Sequence, residues 1–409
     1  MTNYAFPVTA VIAKFHEFLF TRLAEFSSLL KNKRIVVFGA GTRGSEMLFV
    51  LKSMGFSEIV FCDNNEEKQQ GYIDDYPIYS LSSALEYTKP QMFLVPIENG
   101  REVCRQLTDK GLKENIDFLD LSFDLYDEYM KEFVRHTENN VVIFGDCAFS
   151  HISIYDEQKR SLADMVKEKY GERFVKILVM HGMGTRSFYH ILNSLLQRGE
   201  KPRSVIVEVT PMMLAPKAYI MPRTQHPELI KRIHDAVPYS GAEMDNYVAI
   251  TSERFNRLQI ETASSLDKNK AENISKLYMR MNYMHRINVS NERIVYLKKL
   301  IELMNSLSIP ITLYIPPVNY IYGENILGEE FTSCYRQILN DLWQALGDLS
   351  YVVADASFLL NDIDFAIKEN HDETANYEGR IKLLEFLSDY IEKDVSNEIK
   401  RNSVLGSCC

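Results

Sequence analysis

The chain has 409 residues, 46% of them hydrophobic and 25% charged, and this length allows two globular domains with separate cores. A net charge of −10 argues against a nucleic-acid platform, because such surfaces are basic. Six cysteines without a CxxC spacing fit a reducing compartment, so we expect a cytoplasmic protein without a metal site or a disulfide framework.

Residues 1–32 predict an amphipathic N-terminal helix. Residues 6–30 are rich in Phe and Leu, but Lys14, Glu17 and Arg22 interrupt the apolar run, which excludes a membrane span. We expect this helix to pack within the protein or in a homo-oligomer, with contact to a membrane surface as the alternative. No signal peptide and no transmembrane segment are predicted.

Residues 33–122 alternate strand and helix patterns, as a parallel, doubly wound sheet does. The first strand pattern ends at a G-x-G-x-x-G loop formed by Gly39, Gly41 and Gly44, and Asp63 ends the next one. Such glycines let the backbone approach a pyrophosphate at a helix N-terminus, and an acidic residue in this place can bind a ribose diol. We therefore predict a nucleotide-binding domain.

This domain resembles the small Rossmann-like domains of bacterial nucleotide-sugar-modifying enzymes. The resemblance rests on the glycine loop 39–44, on the runs 61–65 and 76–80, and on Lys68 and Gly71. It implies a nucleotide-sugar as ligand, with a dinucleotide as another choice and no cofactor required for the reaction. Two alternatives stay open. The domain could be structural, with a vestigial pocket, or it could belong to an NAD-dependent oxidoreductase, for which we identify no hydride-transfer acid or base.

The rest of the chain predicts a second α/β domain, so the fold class is α/β with two doubly wound parallel-sheet domains. The predicted segments are a linker helix at 123–139, the second domain at 140–395 with a helical insertion at about 215–285, and a tail at 396–409. The strand pattern 141–144 runs directly into Gly145-Asp146-Cys147. A turn at the carboxyl end of a strand is where such a sheet presents a nucleophile.

The second domain is similar to the SGNH (GDSL-type) hydrolases and acyltransferases, especially the subgroup that modifies cell-surface polymers. Four blocks carry this resemblance: the turn 145–147, the glycine block 180–187, the run 312–319 and the C-terminal block 371–380. The resemblance implies a flavodoxin-like sheet in which acyl transfer takes place.

The resemblance also implies roles for individual residues. Cys147 would be the nucleophile, and its amide together with that of Gly184 would bind the oxyanion. His371 would be the base, with Asp372 or Asp364 as its orienting partner. In that arrangement, we expect the Asp146 side chain to turn back into its own loop. Two further predictions concern ligands: Arg186 and Arg223 as anion clamps, and His181 as a residue that could reach the pocket.

The sequence departs from the family pattern in two places. Thr374 occupies the position of the family's histidine, and His371 the position of its aspartate. Glu208-Val-Thr-Pro replaces the Gly-x-Asn-Asp that supplies an oxyanion donor, a loss of about 10²–10³ in rate. A binding pocket without catalysis is therefore one alternative, and chemistry through Ser150 or His151 is another.

These observations together predict a cytoplasmic protein of bacterial-type surface-glycan biosynthesis. It would transfer an acyl group to a nucleotide- or lipid-linked sugar, or remove one, with the sugar or acyl donor as its small-molecule partner. The alternative is a noncatalytic protein built from two enzyme folds that have lost their activity. It would bind a sugar or a nucleotide, or act as a scaffold.

Overall fold

The computed structural model describes residues 8–31, 33–86, 91–97, 100–136, 140–152, 158, 160–180, 182–215, 226–237, 276, 279–366 and 374–405. The chain divides into two units, and we refer to Val11–Glu128 as the N-terminal unit and to Met1–Ala10 with Tyr129–Cys409 as the C-terminal unit. Each unit contains a parallel sheet between helices, which confirms the predicted fold class. No helix in the described part is long and apolar enough to cross a membrane.

The N-terminal unit is built on a six-stranded sheet. The described elements up to the unit's last strand, including β1 of the C-terminal unit, are β1 Val8–Thr9, α1 Ala10–Glu25, α2 Ser27–Leu30, β2 Arg34–Phe38, α3 Thr42–Ser53, β3 Ile59–Cys62, β4 Tyr72–Ile73, β5 Tyr76–Tyr79, α4 Leu81–Leu85, β6 Gln91–Val95, α5 Arg101–Asp109 and β7 Phe118–Asp120. The sheet order is β4-β5-β3-β2-β6-β7, with only the β4–β5 pair antiparallel. The parallel strands thus have the order 3-2-1-4-5 of dinucleotide-binding sheets.

After Arg34, the central strand β2 is apolar because both faces of this sheet are covered. Ile35 and Val37 belong to a core that contains Phe15, Leu19 and Leu23 of α1. Their neighbours in β2 point into a second core, which α4 and α5 complete. The amphipathic helix at the N-terminus therefore packs its apolar side on the sheet of its own unit.

The C-terminal unit contains a five-stranded sheet in which every pair is parallel. The further elements are α6 Leu125–Val134, which crosses the boundary between the units, β8 Val141–Gly145, α7 Cys147–Ser150, β9 His151–Ile152, α8 Leu162–Tyr170, β10 Val175–Val179, α9 Thr185–Gln197, β11 Ser204–Glu208, α10 Pro227–Ala236, α11 Glu292–Ser306, β12 Ile311–Ile315, α12 Tyr320–Leu327, α13 Glu330–Leu346, β13 Val352–Asp355 and α14 Tyr377–Leu405. The short strands β1 and β9 form a separate antiparallel pair.

The strand order of this sheet determines where a ligand site is expected. The order β10-β8-β11-β12-β13 is the flavodoxin-like order 2-1-3-4-5. In such sheets the chain leaves neighbouring strands in opposite directions at one point, and ligands bind in the crevice outside the carboxyl ends of those strands. Here that point lies between β8 and β11, so the turns at the carboxyl ends of these two strands form the expected site.

Candidate active site

The Gly145-Asp146-Cys147 turn lies at the carboxyl end of β8, beside the end of β11. A side chain at position 145 would not fit. Its Cβ would lie 2.6 Å from Phe149 Cδ2, 2.9 Å from Val179 Cγ1 and 3.0 Å from Glu208 Oε2. Because residue 145 has no side chain, the chain can run at this close distance from β8 into α7, which begins at Cys147. The Cys147 side chain lies outside the described part of the structure.

Glu208, the last residue of β11, binds the backbone of this turn. Its Oε2 accepts the amide of Asp146 at 2.6 Å, and its Oε1 accepts that of Ala148 in a longer bond of 3.4 Å. The residue is completely buried. A carboxylate therefore occupies the amides on both sides of Cys147, whose own amide, with that of Gly184, was the expected oxyanion donor.

The charge of Glu208 also affects Tyr314, which lies opposite it on the neighbouring strand β12. Burial raises the pKa of the Tyr314 phenol well above its usual value, and the charge of Glu208 raises it further. A nearby negative charge opposes the ionisation of any acidic group, a thiol included. The charge of Glu208 therefore opposes formation of a thiolate at Cys147.

Asp146 joins the turn to the loop after β10. The amide of Gly182 donates a short hydrogen bond to its Oδ1, and its own carbonyl oxygen accepts from Ser150 Oγ at 2.9 Å. The prediction that the Asp146 side chain turns back into its own loop is therefore wrong. Ser150, one of the alternative reactive groups, is buried and held by this backbone bond.

Arg293, near the start of α11, supplies positive charge to this buried acid. Burial lowers the pKa of Arg293 to about 10, while the charges of Glu292 and Asp146 act in the opposite direction. The guanidinium donates to the carbonyl of Met213 at 2.5 Å, and Thr185 Oγ1 donates to the carbonyl of Arg293 at 2.8 Å. No motif in the sequence identified Arg293, because its neighbours along the chain are those of an ordinary amphipathic helix.

Gly184 stands directly before α9, on the loop that Asp146 holds. Its backbone is extended, and no atom of the described residues lies within 4 Å of the place where its Cβ would be. Open space therefore adjoins Gly184, although its role as an oxyanion donor stays a prediction. Arg186 on the same helix pairs with Glu292 and lies 5.2 Å from the centre of the Tyr296 ring. His181 and Arg223 lie outside the described residues.

The predicted base and its partner, His371 and Asp372, also lie outside the described residues. The segments on either side of them are held together. Ala366 donates its amide to the carbonyl of Thr374 at 2.9 Å, and Phe365 forms an antiparallel bridge with Ala375. The roles of His371 and Asp372, and of His151, whose side chain is likewise outside the described part, stay predictions.

Asp364 and the described residues of the C-terminal block 371–380 have structural roles. Asp364 is buried, and both of its carboxylate oxygens accept from Lys382 Nζ, at 2.7 and 2.8 Å. Asn376 Oδ1 accepts the amide of Gly379 at 2.9 Å, and a Cβ at Gly379 would lie 2.4 Å from the carbonyl oxygen of Asp364. Asp364 is therefore committed to an ion pair, and the alternative that it orients a histidine is not supported.

The glycine loop of the N-terminal unit is formed as the sequence predicts, between β2 and α3. Gly39 has a φ of +107°, which favours glycine, and a Cβ at Gly44 would lie 2.0 Å from the Gly39 carbonyl oxygen. Gly41 differs from both, because Lys68 Nζ, at 3.9 Å, is the only atom near its Cβ position among the described residues. The space above Gly41 is therefore open.

Asp63, predicted to bind a ribose, is bonded to the loop itself. Its Oδ2 accepts the amide of Ala40 at 2.7 Å and Lys68 Nζ at 3.3 Å, while its Oδ1 accepts the amide of Asn65 at 2.9 Å. A carboxylate has about four acceptor sites, so one more partner can be accommodated. Among the described residues, no group of three or more His, Cys, Asp or Glu could hold a metal ion.

Two solved structures from Geobacillus stearothermophilus are similar to part of the chain. One is a variant of an acetyl-xylooligosaccharide esterase, with 13% identity, a TM-score of 0.31, and coverage of 62% of this chain and 94% of that one. The other is a variant of an acetyl xylan esterase, with 11% identity, a TM-score of 0.27, and coverage of 62% and 95%. Neither a protein-family model nor a curated protein matches the chain. Any assignment of function therefore depends on the geometry of the site.

Proposed function

We propose that the C-terminal unit catalyses acyl transfer, with Cys147 as the nucleophile and a sugar as the molecule that carries or receives the acyl group. One observation carries this proposal. The Gly145-Asp146-Cys147 turn stands at the carboxyl end of the first strand of a 2-1-3-4-5 sheet, at the point where ligands bind in such sheets. Asp146 also connects this turn to the loop before Gly184, so the two expected donor regions belong to one structure.

The reaction has two balanced steps. A base, for which His371 is the candidate, takes the thiol proton, and the thiolate attacks the ester carbonyl. The bond from that carbon to the alcohol oxygen breaks, and the alcohol leaves with the proton, so a thioester remains on Cys147. Water then attacks the thioester, which releases a carboxylic acid and restores the thiol. In acyl transfer, a sugar hydroxyl replaces water and an ester is released instead.

The substrate in this proposal is a nucleotide- or lipid-linked sugar of cytoplasmic surface-glycan biosynthesis. The N-terminal unit supports a nucleotide as one component, because the space above Gly41 is open and the Lys68 ammonium lies beside it. A cation next to open backbone at the N-terminus of a helix suits a diphosphate. No cofactor is required for acyl transfer by this route.

The experiment that tests the proposal uses p-nitrophenyl acetate, a small activated ester that needs no sugar subsite. We expect an acetyl adduct on Cys147, seen by intact mass and peptide mapping. Cys147→Ala should abolish the adduct, and His371→Ala should slow its formation. Cys147→Ser should recover only part of the reaction, because serine depends more on the base. If Cys147 takes up no acyl group while the protein is folded, the proposal fails.

A second candidate function has a specific observation in its favour. The Glu208 carboxylate occupies amides of the turn in which a working enzyme needs donors for an oxyanion. A sugar-binding protein without turnover could retain this arrangement permanently. Sugar binding measured by calorimetry, together with absence of an acyl adduct on Cys147, would select this second function.

A further inference from the structure

Glu208 fits closely against the turn that carries Cys147. The amide of Asp146 donates to its Oε2 at 2.6 Å, and the amide of Ala148 donates to its Oε1 at 3.4 Å. The contact depends on Gly145, since a Cβ there would come within 3.0 Å of Oε2. Glu208 is fully buried, so water does not compete for these amides. Cys147 lies between the two residues whose amides are bound.

Backbone amides at a nucleophile turn stabilise the negative oxygen that forms when the carbonyl is attacked. A carboxylate in the same place has three effects. It occupies the two amides that flank the expected donor at Cys147, it repels the developing charge, and it opposes ionisation of the neighbouring thiol. A carboxylate is also the product of ester hydrolysis, so the Glu208 side chain binds the amides as a retained product would.

We propose that Glu208 is a built-in inhibitor of the acyl-transfer site, and that turnover requires its carboxylate to leave the amides of the turn. This inference rests on the proposed acyl transfer by Cys147. It makes Glu208 a residue whose negative charge, held beside Cys147, opposes both the thiolate and the oxyanion. Asp146, whose own carboxylate binds Gly182 and faces the charge of Arg293, instead joins the two loops.

The opposite role for Glu208 would be that of a base that accepts the thiol proton. The two roles predict changes of opposite sign. Removal of an inhibitor accelerates reactions at Cys147, whereas removal of a base slows them. Glu208→Gly introduces the residue of the family's Gly-x-Asn-Asp pattern and frees both amides. Glu208→Gln keeps the shape and removes only the charge, so it remains informative if the glycine variant does not fold.

The first measurement is the rate at which iodoacetamide labels Cys147 at neutral pH, in the full chain. We expect an increase of about tenfold in both variants, which corresponds to one pKa unit of the thiol. Asp341→Asn is the control, because that carboxylate binds Arg286 and has no bond to the turn. Unchanged or slower labelling in folded Glu208→Gly and Glu208→Gln would overturn the inference, whatever the ester experiment gives.

The second measurement is acetylation of Cys147 by p-nitrophenyl acetate. Glu208→Gly should react at least about tenfold faster than the native chain, because both the negative charge and its bonds to the amides beside Cys147 are gone. Glu208→Gln should gain less, because its amide oxygen still accepts from the turn, and adding Cys147→Ala must abolish the adduct. Faster labelling without any adduct would support the electrostatic role of Glu208 while the proposed function fails. An adduct that forms equally fast in all folded variants that keep Cys147 would support the proposed function and overturn the inhibitory role of Glu208.

Discussion

The two units share the same backbone arrangement at the end of a strand, but its surroundings differ. In each, the first parallel strand ends in a glycine-containing turn, and the carboxylate at the end of a neighbouring strand accepts an amide of that turn. Asp63 binds the amide of Ala40 at 2.7 Å, and Glu208 binds that of Asp146 at 2.6 Å. A carboxylate in this position is therefore not by itself a sign of a ligand site, since it also fixes the turn.

The difference lies in charge and space. In the N-terminal unit, Lys68 lies 3.3 Å from Asp63 and the position above Gly41 is open. In the C-terminal unit, Glu208 is fully buried and the turn at Gly145 is closely packed by three side chains. The glycine loop thus has a cation and open space beside it, whereas the Gly-Asp-Cys turn already holds a carboxylate. This contrast predicts opposite responses to the same substitutions.

The largest expected effect concerns Cys62, which stands beside Asp63 as Cys147 stands beside Asp146. Burial raises the pKa of the Cys62 thiol from 9.0 to about 12, and the charge of Asp63 adds to the rise. Three pKa units reduce the thiolate at neutral pH about a thousandfold. We therefore expect iodoacetamide to label Cys62 about a thousand times more slowly than a free thiol, with a rate that increases tenfold per pH unit up to about pH 12.

Cys104 is the internal control, because burial and the charges of Asp120 and Glu114 raise its thiol pKa to about 12 as well. Peptide mapping after timed labelling gives the three rates in one sample. If Cys147 is labelled as slowly as Cys62 both in the native chain and in Glu208→Gln, the two turns are chemically alike and Cys147 is not a nucleophile. Rapid labelling of Cys62 in the folded protein would contradict its burial beside Asp63.

The next effect concerns stability. Gly145→Ala places a Cβ 2.6 Å from Phe149 Cδ2 and 2.9 Å from Val179 Cγ1, so we expect a loss of about 1–3 kcal/mol in the free energy of unfolding. Gly41→Ala, the matched change in the other unit, should remain within about 0.5 kcal/mol of the native value. Unfolding in urea measures both losses, with circular dichroism following the whole chain and fluorescence of Trp343, the single tryptophan, following the C-terminal unit. Equal losses in both variants would show that the two turns do not differ in the space around Gly145 and Gly41.

Much of the fold behind this contrast could be predicted from the sequence, because strands and turns follow local patterns. Continuous apolar runs mark buried parallel strands, and the predicted strand 141–144 agrees within one residue with β8 Val141–Gly145. The strand-to-helix turns could be predicted from the same runs. The order of the strands, the packing of α1 on its own sheet and the open space at Gly41 needed the structure.

The parts of the site that sequence reasoning missed are those formed by distant residues. Glu208 was noticed as a departure from a pattern, but not as a partner of the turn, and Arg293 carried no signal at all. One clue was available for Glu208. A glutamate at the end of the central apolar run 204–208 must be buried, and a buried carboxylate needs hydrogen-bond donors. Which donors it finds depends on the pairing of β8 with β11, which the sequence does not specify.

A smaller effect is expected for ligand binding. The extended backbone of Gly41 tolerates a side chain, so Gly41→Val should fold normally. Its methyl groups should nevertheless block the approach of a diphosphate and raise the Kd of a nucleotide-sugar at least about tenfold, or 1.4 kcal/mol. Calorimetry with UDP-, GDP- and CDP-sugars measures this. Gly184→Val is the matched control, since that glycine is also extended and open but belongs to the other unit.

Two results would contradict the nucleotide prediction. If no nucleotide-sugar or dinucleotide binds the native chain at millimolar concentration, the glycine loop is structural. If Gly41→Val binds as well as the native chain, the ligand does not use the space above Gly41. Weaker binding in Gly184→Val alone would move the nucleotide site to the C-terminal unit.

The smallest effect concerns the ion pair between Lys68 and Asp63, which distinguishes the acid of the glycine loop from Glu208. The Lys68 side chain is 41% exposed, so the pair should contribute less than about 1 kcal/mol to the free energy of unfolding. A double-mutant cycle with Lys68→Met and Asp63→Asn measures the coupling, and 1 M salt should reduce it because exposed charges are screened. Asp63→Asn alone should cost more than Lys68→Met alone, because Asp63 also accepts the amides of Ala40 and Asn65. A coupling above about 2 kcal/mol that persists in salt would mean that Lys68 is part of the fold instead of a cation available to a phosphate, and the two turns would then differ only in space.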